Sequence, residues 1–372
     1  MNKREKTKSF IKKNIVVIIA GILAVISMSI IPIDKDYLNY FEWDTIICLF
    51  CMLAVVAGLK STNIFDIISK KIISLFHNRR SVIYALVFGT FLFDMIVAND
   101  MSLITFLPLT YIVLHSTGND KYLAFTFIMQ TIAANMGGMI TPYGNPQNLY
   151  LYSFFNIGIT DFFSTLFIQF LFIALLLFIC CSFVRPEPLT IKNNDNNKLN
   201  KNKFIIYAIL FIMTIASIFR IIPNELTLVI VIFTLIFCDK KIIKEIDFGL
   251  LLTFCFFFIF SGNIARIQPI RDFIYNIIEK NTFFAGIISC QLISNVPTAI
   301  FLSQFTTEYK ELLKAVNIGS LGILISSLAS LITLKEFLKH QPKKFFKYIG
   351  MFTLFNTLFL ISLIIVTIFI NN

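Results

Sequence analysis

Charged residues are scarce in this sequence. Asp, Glu, Lys and Arg together make up 14% of its 372 residues, roughly half of the share that is usual in soluble domains. Apolar residues take their place, because 57% of the chain is hydrophobic, 43 residues are Phe, and the mean hydropathy is +0.81. A soluble fold cannot bury so much apolar surface, so the composition excludes that class and indicates an integral membrane protein.

Recognisable motifs for catalysis and metal binding are also lacking. The seven Cys are scattered through apolar segments without the spacing of a metal site, and we interpret them as small hydrophobic residues. Neither a catalytic triad nor a phosphate-binding loop is found in the sequence. We therefore expect no enzyme activity, and no cofactor other than sodium ions if transport is coupled to them.

Basic residues outnumber acidic ones, 32 against 21, but they are concentrated in the polar segments between apolar runs. If the basic stretch from Met1 to Lys13 is cytoplasmic, most Lys and Arg fall on the inner side of the membrane, as the positive-inside rule requires. The excess of positive charge is then explained by the membrane topology, and we expect no nucleic acid partner. We predict a protein integral to the cell (plasma) membrane, with its N-terminus in the cytoplasm and its C-terminus outside.

One apolar run is interrupted in its middle. The stretch NMGGMITPYGNPQN, from Asn135 to Asn148, contains three Gly, two Pro and three Asn. A continuous helix does not tolerate this composition, since Pro removes a backbone donor and Gly adds backbone freedom. Backbone groups that are freed at membrane depth persist only where they line a cavity or bind a ligand. The stretch is therefore a candidate ion or substrate site.

The segment from Ser81 to His115 has two polar residues, Asn99 and Asp100, at its centre. It can form one long kinked helix that ends outside, or a re-entrant hairpin with both ends inside. Only the hairpin keeps the basic linker 185–203 on the inner side, so the distribution of charge favours it. Segment 281–305 has a polar centre as well, and predicts a second hairpin that enters from outside.

These features predict an all-α polytopic membrane protein with inverted repeats, nine transmembrane crossings and two re-entrant hairpins with broken helices. The two halves carry the same parts in the same order, and without gaps Asn135 aligns with Asn317, Asn145 with Ser327 and Asn148 with Ser330. Inverted repeats with discontinuous helices are typical of secondary transporters. The predicted parts are a tail with the first transmembrane helix (1–42), a first repeat (43–184, with hairpin 81–115 and broken helix 121–152), a cytoplasmic linker (185–203), connecting helices (204–246) and a second repeat (247–372, with hairpin 281–305 and broken helix 311–334).

Three motifs resemble those of a known family: ITPYGNPQNL shortly after NMGG, SNVPTA in the second hairpin, and the opening WD…GLKSTNIFD. The family is the citrate-transporter-like branch of the ion transporter superfamily, to which divalent-anion:sodium symporters, arsenite permeases and a sodium/proton antiporter group are related. The resemblance covers Trp43 to Ile370. It implies two hairpins, an elevator-type transport domain, and a scaffold that usually dimerises, so a homodimer is expected. In that family the hairpin tips and helix breaks bind sodium and the anion.

The matching positions of this chain carry mostly polar residues. Their oxygens and the unwound backbone suit sodium, while the N-termini of half-helices attract an anion. The first tip has the sequence Ala98-Asn99-Asp100, and Ser330 stands where relatives often have Asn. The chain departs from the symporter pattern at both of these positions. The candidate substrate-binding residues are Asn99, Thr141, Asn145, Asn148, Asn295, Thr298 and Ser327, and the candidates for cation binding or coupling are Asn99, Asp100, Gly144, Asn145, Ser294, Asn295, Gly319 and Ser330.

Asp100 is the most informative of these residues. A carboxylate inside the membrane is energetically unfavourable, and no Arg or Lys is near it in sequence, so we expect it to bind a cation or carry a proton. The alternative is that Asp100 caps the second half-helix of the hairpin. Asp94 lies more than one and a half helical turns earlier and points away from Asp100, and for it we expect a structural role.

The function that fits best is a secondary active transporter of a small anion, with a di- or tricarboxylate such as citrate favoured. Transport would be coupled to sodium or protons through an elevator-type alternating-access mechanism. Two alternatives stay open, an arsenite or inorganic oxyanion permease and a sodium/proton antiporter.

Overall fold

The computed structural model describes residues 15–65, 67–68, 71, 75–97, 99–189 and 199–371. The part of the chain that it describes contains α-helices and short 3₁₀ turns but no β-strand. This confirms the prediction of an all-α polytopic membrane protein. The helices are α1 (Ile15–Ile30), α2 (Trp43–Ser61), α3 (Arg79–Asp94), α4 (Asn99–Ser116), α5 (Leu123–Gly137), α6 (Pro146–Phe154), α7 (Ile159–Ser182), α8 (Lys201–Ile218), α9 (Asn224–Phe237), α10 (Phe248–Arg266), α11 (Gln268–Lys280), α12 (Thr282–Ile293), α13 (Asn295–Leu302), α14 (Tyr309–Ile318), α15 (Leu328–His340) and α16 (Phe345–Asn371).

Six helical segments among the described residues are long and apolar enough to cross a membrane. Their burial differs sharply: 89% of the apolar stretch that contains α5 is buried, against 28% in each of α7, α8 and the stretch with α16. α5 therefore lies at the centre of the molecule, and the other three present apolar surface outward, as helices in contact with lipid do. The count of nine crossings stays a prediction.

The two central polar segments fold back on themselves. α3 packs against α4, and the Arg79 side chain at the start of α3 donates a hydrogen bond to Asn119 just beyond α4, at 3.1 Å. In the second segment α12 packs against α13, and the hydroxyls of Thr282 and Thr306 at its two ends are 3.3 Å apart. Both segments are hairpins, and the long kinked helix is not formed. Ala98 of the first predicted tip lies outside the described residues.

Both predicted broken helices are interrupted where Gly, Pro and Ser accumulate. α5 ends at Gly137, a 3₁₀ turn follows, and Pro146 is the first residue of α6, a position where its missing N–H is no disadvantage. α14 ends at Ile318 and α15 begins at Leu328, after Gly322 with its positive φ of 112°. The second half-helix continues to His340, beyond the predicted end at 334.

The beginning of the predicted linker packs against the first hairpin. Glu187 accepts hydrogen bonds from both terminal nitrogens of the buried Arg79, at 2.5 and 2.8 Å. Leu189 is buried beside the first hairpin, and Pro188 pairs with Asn78. The linker is therefore anchored at the base of the first hairpin. Residues 190–198 and the basic tail 1–14 lie outside the described part of the chain.

The helices pack in two groups. One contains both hairpins and both broken helices: α5 packs against α3, α4 and α15, and α6 packs against α13 and α14. The other contains α1 against α10, and α2 against α8 and α9. Contacts of α2 with α6 and of α10 with α13 join the groups. The candidate residues lie mostly in the first group.

Candidate functional site

The first hairpin tip is joined to the first helix break by two hydrogen bonds. The fully buried Asp94 at the end of α3 accepts from the backbone N–H of Gly138, with 2.5 Å between Oδ2 and N. Thr141 donates from its hydroxyl to the carbonyl oxygen of Met95 at 3.0 Å. Asp94 thus has the positioning role expected from the sequence, and Thr141 brings the break to the base of the tip.

Asn99 and Asp100 line a cavity of about 140 Å³ that lies between the two helix groups. Tyr143 and Pro146 of the first break form part of its wall, and Asp247 at the start of α10 contributes a second carboxylate. The Oδ1 atom of Asp100 is buried and has no hydrogen-bond partner within the described residues. A buried carboxylate oxygen without a hydrogen-bond partner among the described residues favours a cation or a proton in this cavity over an anion.

Asn148 satisfies the backbone of the first break. Its amide nitrogen donates to the carbonyl oxygens of Gly138, Met139 and Thr141, at 3.1, 3.2 and 3.4 Å. Its oxygen accepts from the Asn317 amide at 2.7 Å. The amide group of Asn148 is therefore occupied by protein contacts, which is the structural use that polar residues at a break commonly have.

Asn145 is placed differently. Its amide nitrogen donates to the carbonyl oxygen of Asn135 at 3.1 Å, while its own oxygen is buried without a partner among the described residues. Gly144 beside it has no room for a side chain, because a Cβ atom there would lie 2.6 Å from Gly138 and from the hydroxyl of Thr141. The chain therefore needs Gly at this position in order to close the break.

The two breaks are bonded to each other. Asn135 in the last turn of α5 donates to the hydroxyl of Ser327 at 3.0 Å, and Asn317 in the last turn of α14 donates to Asn148. Asn135 and Asn317 are the residues that the ungapped alignment pairs, and each reaches across to the other half. The sequence pairs them as repeat positions, but they are not among the predicted site residues. Both lie one turn before a predicted break, and this shared position is the sequence signal that could have identified them.

The second hairpin tip is fixed to the second break. Ser294 is in the left-handed region, with φ of 76°, and donates from its hydroxyl to the carbonyl oxygen of Ser326 at 3.3 Å. Thr298 donates back to the carbonyl oxygen of Ser294 at 2.8 Å. Asn295 is buried, its oxygen accepts from the N–H of Val296, and its amide nitrogen has no hydrogen bond within the described part of the chain. This amide is a donor that a ligand can use.

Serine hydroxyls and one glutamine complete the second break. The hydroxyls of Ser327 and Ser330 are 2.8 Å apart. The amide nitrogen of Gln291 donates to the carbonyl oxygens of Gly319 and Leu321, at 2.8 and 2.9 Å, and its oxygen accepts from a backbone N–H at 3.0 Å. The Gly319 carbonyl is thus already bonded. Gln291 was not predicted, because no local feature of its sequence shows that a distant break depends on it.

Comparisons with known proteins match most of this chain. The family model described as citrate transporter matches residues 5–317. An uncharacterized transporter of Methanocaldococcus jannaschii is 32% identical over 319 residues, which cover 85% of this chain and 86% of the relative. The inner membrane protein YbiR of Escherichia coli is 25% identical over 307 residues, which cover 81% of this chain and 82% of that protein.

Proposed function

The chain belongs to the citrate transporter family, and from this we propose that it is a secondary active transporter of a small anion, coupled to sodium or protons. A di- or tricarboxylate such as citrate is the favoured substrate. The observation that carries the proposal is the buried junction of two broken helices, each closed by a hairpin tip and each bonded to the other. Such junctions are where secondary transporters bind substrate and coupling ion.

The division of the helices supports an elevator-type mechanism. Both hairpins and both broken helices pack as one group, while α1, α2, α8, α9 and α10 form the other. The cavity that contains Asn99 and Asp100 lies between the groups. A rigid movement of the first group against the second would carry a ligand held at the junction from one side of the membrane to the other. A homodimer built through the second group stays a prediction from the resemblance.

The anion would be held by neutral groups. Among the described residues, no Lys or Arg forms an ion pair at either tip. The amide nitrogen of Asn295 and the N-terminus of α13 both offer hydrogen-bond donors. Donors of this kind bind carboxylate oxygens, because the helix dipole places partial positive charge at the N-terminus. Substrate binding by Asn99, Thr141, Thr298 and Ser327 stays part of the proposal.

A sodium/proton antiporter is the second candidate. It is favoured by the buried Oδ1 atom of Asp100, which has no hydrogen-bond partner among the described residues, since a carboxylate of this kind can exchange a proton for a cation. An arsenite or oxyanion permease is the third candidate, and the family relation alone supports it.

The test is uptake into proteoliposomes. Purified protein should accumulate labelled citrate or succinate when a sodium or proton gradient points inward, with saturable kinetics. The control is the same protein with the gradient dissipated by an ionophore. Sodium-driven proton movement in the absence of any anion would support the antiporter, and accumulation of neither anion nor protons would contradict both functions.

A further inference from the structure

An open cleft of about 450 Å³ lies at the end of α15 that is farthest from the second helix break. Tyr111 and His115 of α4 form one of its walls, and His340 of α15 forms another. The other described residues that line it are Asp120, Gln341, Pro342, Lys343 and Lys344. None of these residues is among those predicted to bind substrate or cation. The cleft is therefore separate from the proposed transport site.

Stacked rings fix the shape of the cleft. The ring of Tyr111 stacks on that of His340, with 3.5 Å between the ring centres, and on that of His115, at 5.1 Å. Nδ1 of His115 lies 2.9 Å from a carboxylate oxygen of Asp120. Nε2 of His340 lies 3.3 Å from a carboxylate oxygen of Glu336. These contacts hold the ends of α4 and α15 together, and they occupy both carboxylates.

The lysines of the cleft have no such partners. Lys343 and Lys344 are exposed, and neither forms an ion pair with a described residue. They lie in the turn that leads into α16, where the helix dipole adds partial positive charge and no acidic residue offsets it. The segment from Lys335 to Lys347 contains five Lys and one Glu. Positive charge is thus concentrated at one rim of the cleft, where it attracts an anion.

A stripe of apolar residues on α4 leads to the cleft. Ile104, Pro108 and Ile112 follow one another at intervals of four residues, so they share one side of the helix, and all three are exposed. In a membrane protein such a stripe faces lipid. It ends one turn before His115, and Phe346, which follows the lysine pair, is 86% exposed. The cleft therefore lies where lipid-facing surface gives way to basic residues, at the depth of the lipid headgroups.

We propose that the cleft binds the phosphate group of an anionic phospholipid, with Lys343 and Lys344 on the phosphate and the acyl chains along the stripe of α4. Lys binds phosphate as a point charge, and basic pockets between membrane helices on the cytoplasmic side hold such headgroups. The predicted topology places the cleft on that side. A soluble organic phosphate carries the same charged group but has no chains for the exposed apolar residues, so the lipid is the occupant that uses both parts of this surface.

A headgroup in the cleft would bridge the first hairpin and the second broken helix. α4 is the last helix of the hairpin, α15 is the second half of the broken helix, and the two pack against each other. Lipid binding would therefore stabilise the group of helices that the proposed mechanism moves as one body. The inference goes beyond the proposed function and does not depend on the substrate or the coupling ion, because its test requires binding alone.

The experiment melts the full-length protein in detergent with increasing amounts of lipid. Phosphatidylglycerol should raise the Tm in a saturable way, because a ligand of the folded state raises apparent stability. Phosphatidylcholine with the same acyl chains should raise it much less, since its headgroup has no net charge. Native mass spectrometry of the same samples should show phosphatidylglycerol retained on the protein. Equal responses to the two lipids would overturn the proposal.

The variant that tests the cleft combines Lys343→Gln with Lys344→Gln. It should raise the half-saturating concentration of phosphatidylglycerol by about tenfold or more, because each basic residue near the membrane surface adds to the attraction. The matched control combines Lys240→Gln with Lys241→Gln, a second pair of adjacent exposed lysines, which lies outside the cleft on the same predicted side. The control should keep the wild-type response. An equal loss in both variants would reduce the effect to general attraction by a basic surface and refute the site.

A single substitution keeps the test decisive if the double variant does not fold. Lys344→Gln alone is then compared with Lys241→Gln, and equal half-saturating concentrations would count against the site.

Glycerol 3-phosphate distinguishes a lipid from a soluble phosphate. It carries the phosphate without acyl chains, so at the same concentration as phosphatidylglycerol it should neither raise the Tm nor displace the lipid in the mass spectra. A rise in Tm as large as that given by the lipid would reject the assignment to a lipid. Because none of these measurements involves transport, a failure of citrate uptake would contradict the proposed function and leave the lipid site standing.

Discussion

At the scale of single residues, similar polar side chains serve different purposes. Asn148 uses its nitrogen and oxygen to bond the chain around the first break, whereas Asn145 three residues earlier has an oxygen with no partner in the described part of the chain. The difference follows from geometry, because Asn148 lies inside the first turn of α6, where its amide faces the freed carbonyls. Composition alone cannot separate a residue that closes a break from one that keeps a polar atom unbonded.

Asp100→Asn tests the role of the tip carboxylate. We expect uptake to lose its dependence on the sodium or proton gradient, because the neutral amide can neither carry a proton nor balance a cation. Transport in proteoliposomes with opposite gradients measures this. Asp161→Asn, at an exposed carboxylate in the first turn of α7, should behave as the wild type. Unchanged coupling in Asp100→Asn would show that this carboxylate does not carry the coupling.

Gly144→Ala tests the close approach at the first break. The added methyl group would meet the backbone of Gly138 and the hydroxyl of Thr141, and overpacking of this kind costs about 1–3 kcal/mol. We expect a lower Tm and weaker transport. Gly350→Ala in α16 is the control, because a Cβ atom there meets nothing within 4 Å and Ala favours a helix. Equal melting of the two variants would contradict the packing argument.

At the scale of helices, one contact between the two groups stands out. Arg220, in the turn between α8 and α9, is held at φ of 60° and donates to the carbonyl oxygen of Tyr152 at 3.0 Å. Its guanidinium lies 4.8 Å from the centre of the Tyr152 ring. A non-glycine residue in the left-handed region is strained and needs compensating contacts. This contact joins the end of α6 to the second helix group, so an elevator movement would have to break it.

Arg220→Ala should therefore loosen the contact between the two helix groups. Cys48 lines a small cavity with Arg220 and Asn224 and is 6% exposed. We expect a thiol-reactive maleimide to modify Cys48 severalfold faster in the variant, as measured by mass spectrometry of its peptide. Arg271→Ala, an exposed position on α11, is the control and should leave the rate unchanged. Equal rates in Arg220→Ala and wild type would show that the contact does not hold the groups together.

At the scale of the whole molecule, the open question is how the chain crosses the bilayer. The positive-inside distribution predicts a cytoplasmic linker and an external C-terminus. Alkaline phosphatase fused after Asn372 should then be active, since it matures only outside the cytoplasm, and a fluorescent protein fused there should be dark. A fusion after Asn200 within the linker should show the opposite pattern. A fluorescent signal at the C-terminus would reject the count of nine crossings.

The sequence by itself determined the class of protein and the position of its interruptions. The apolar composition requires a bilayer. Gly and Pro at 137–146 and Gly at 319–322 interrupt helices whatever the tertiary fold is, since their effect on the backbone is local. The polar centres of the two hairpins are visible for the same reason. The resemblance at ITPYGNPQNL then pointed to the family that the comparisons show.

Only the tertiary structure decided which polar groups meet. The bonds of Asn135 to Ser327 and of Asn317 to Asn148 join positions 192 and 169 residues apart, and Gln291 serves a break 28 residues away. Asp247 reaches the cavity of Asp100 from the other helix group. Hydrogen bonds act over about 3 Å, so their partners depend on packing rather than on spacing along the chain. For that reason the sequence presents Asp94 only as structural, and its bond to the backbone of Gly138, 44 residues away, depends on the fold.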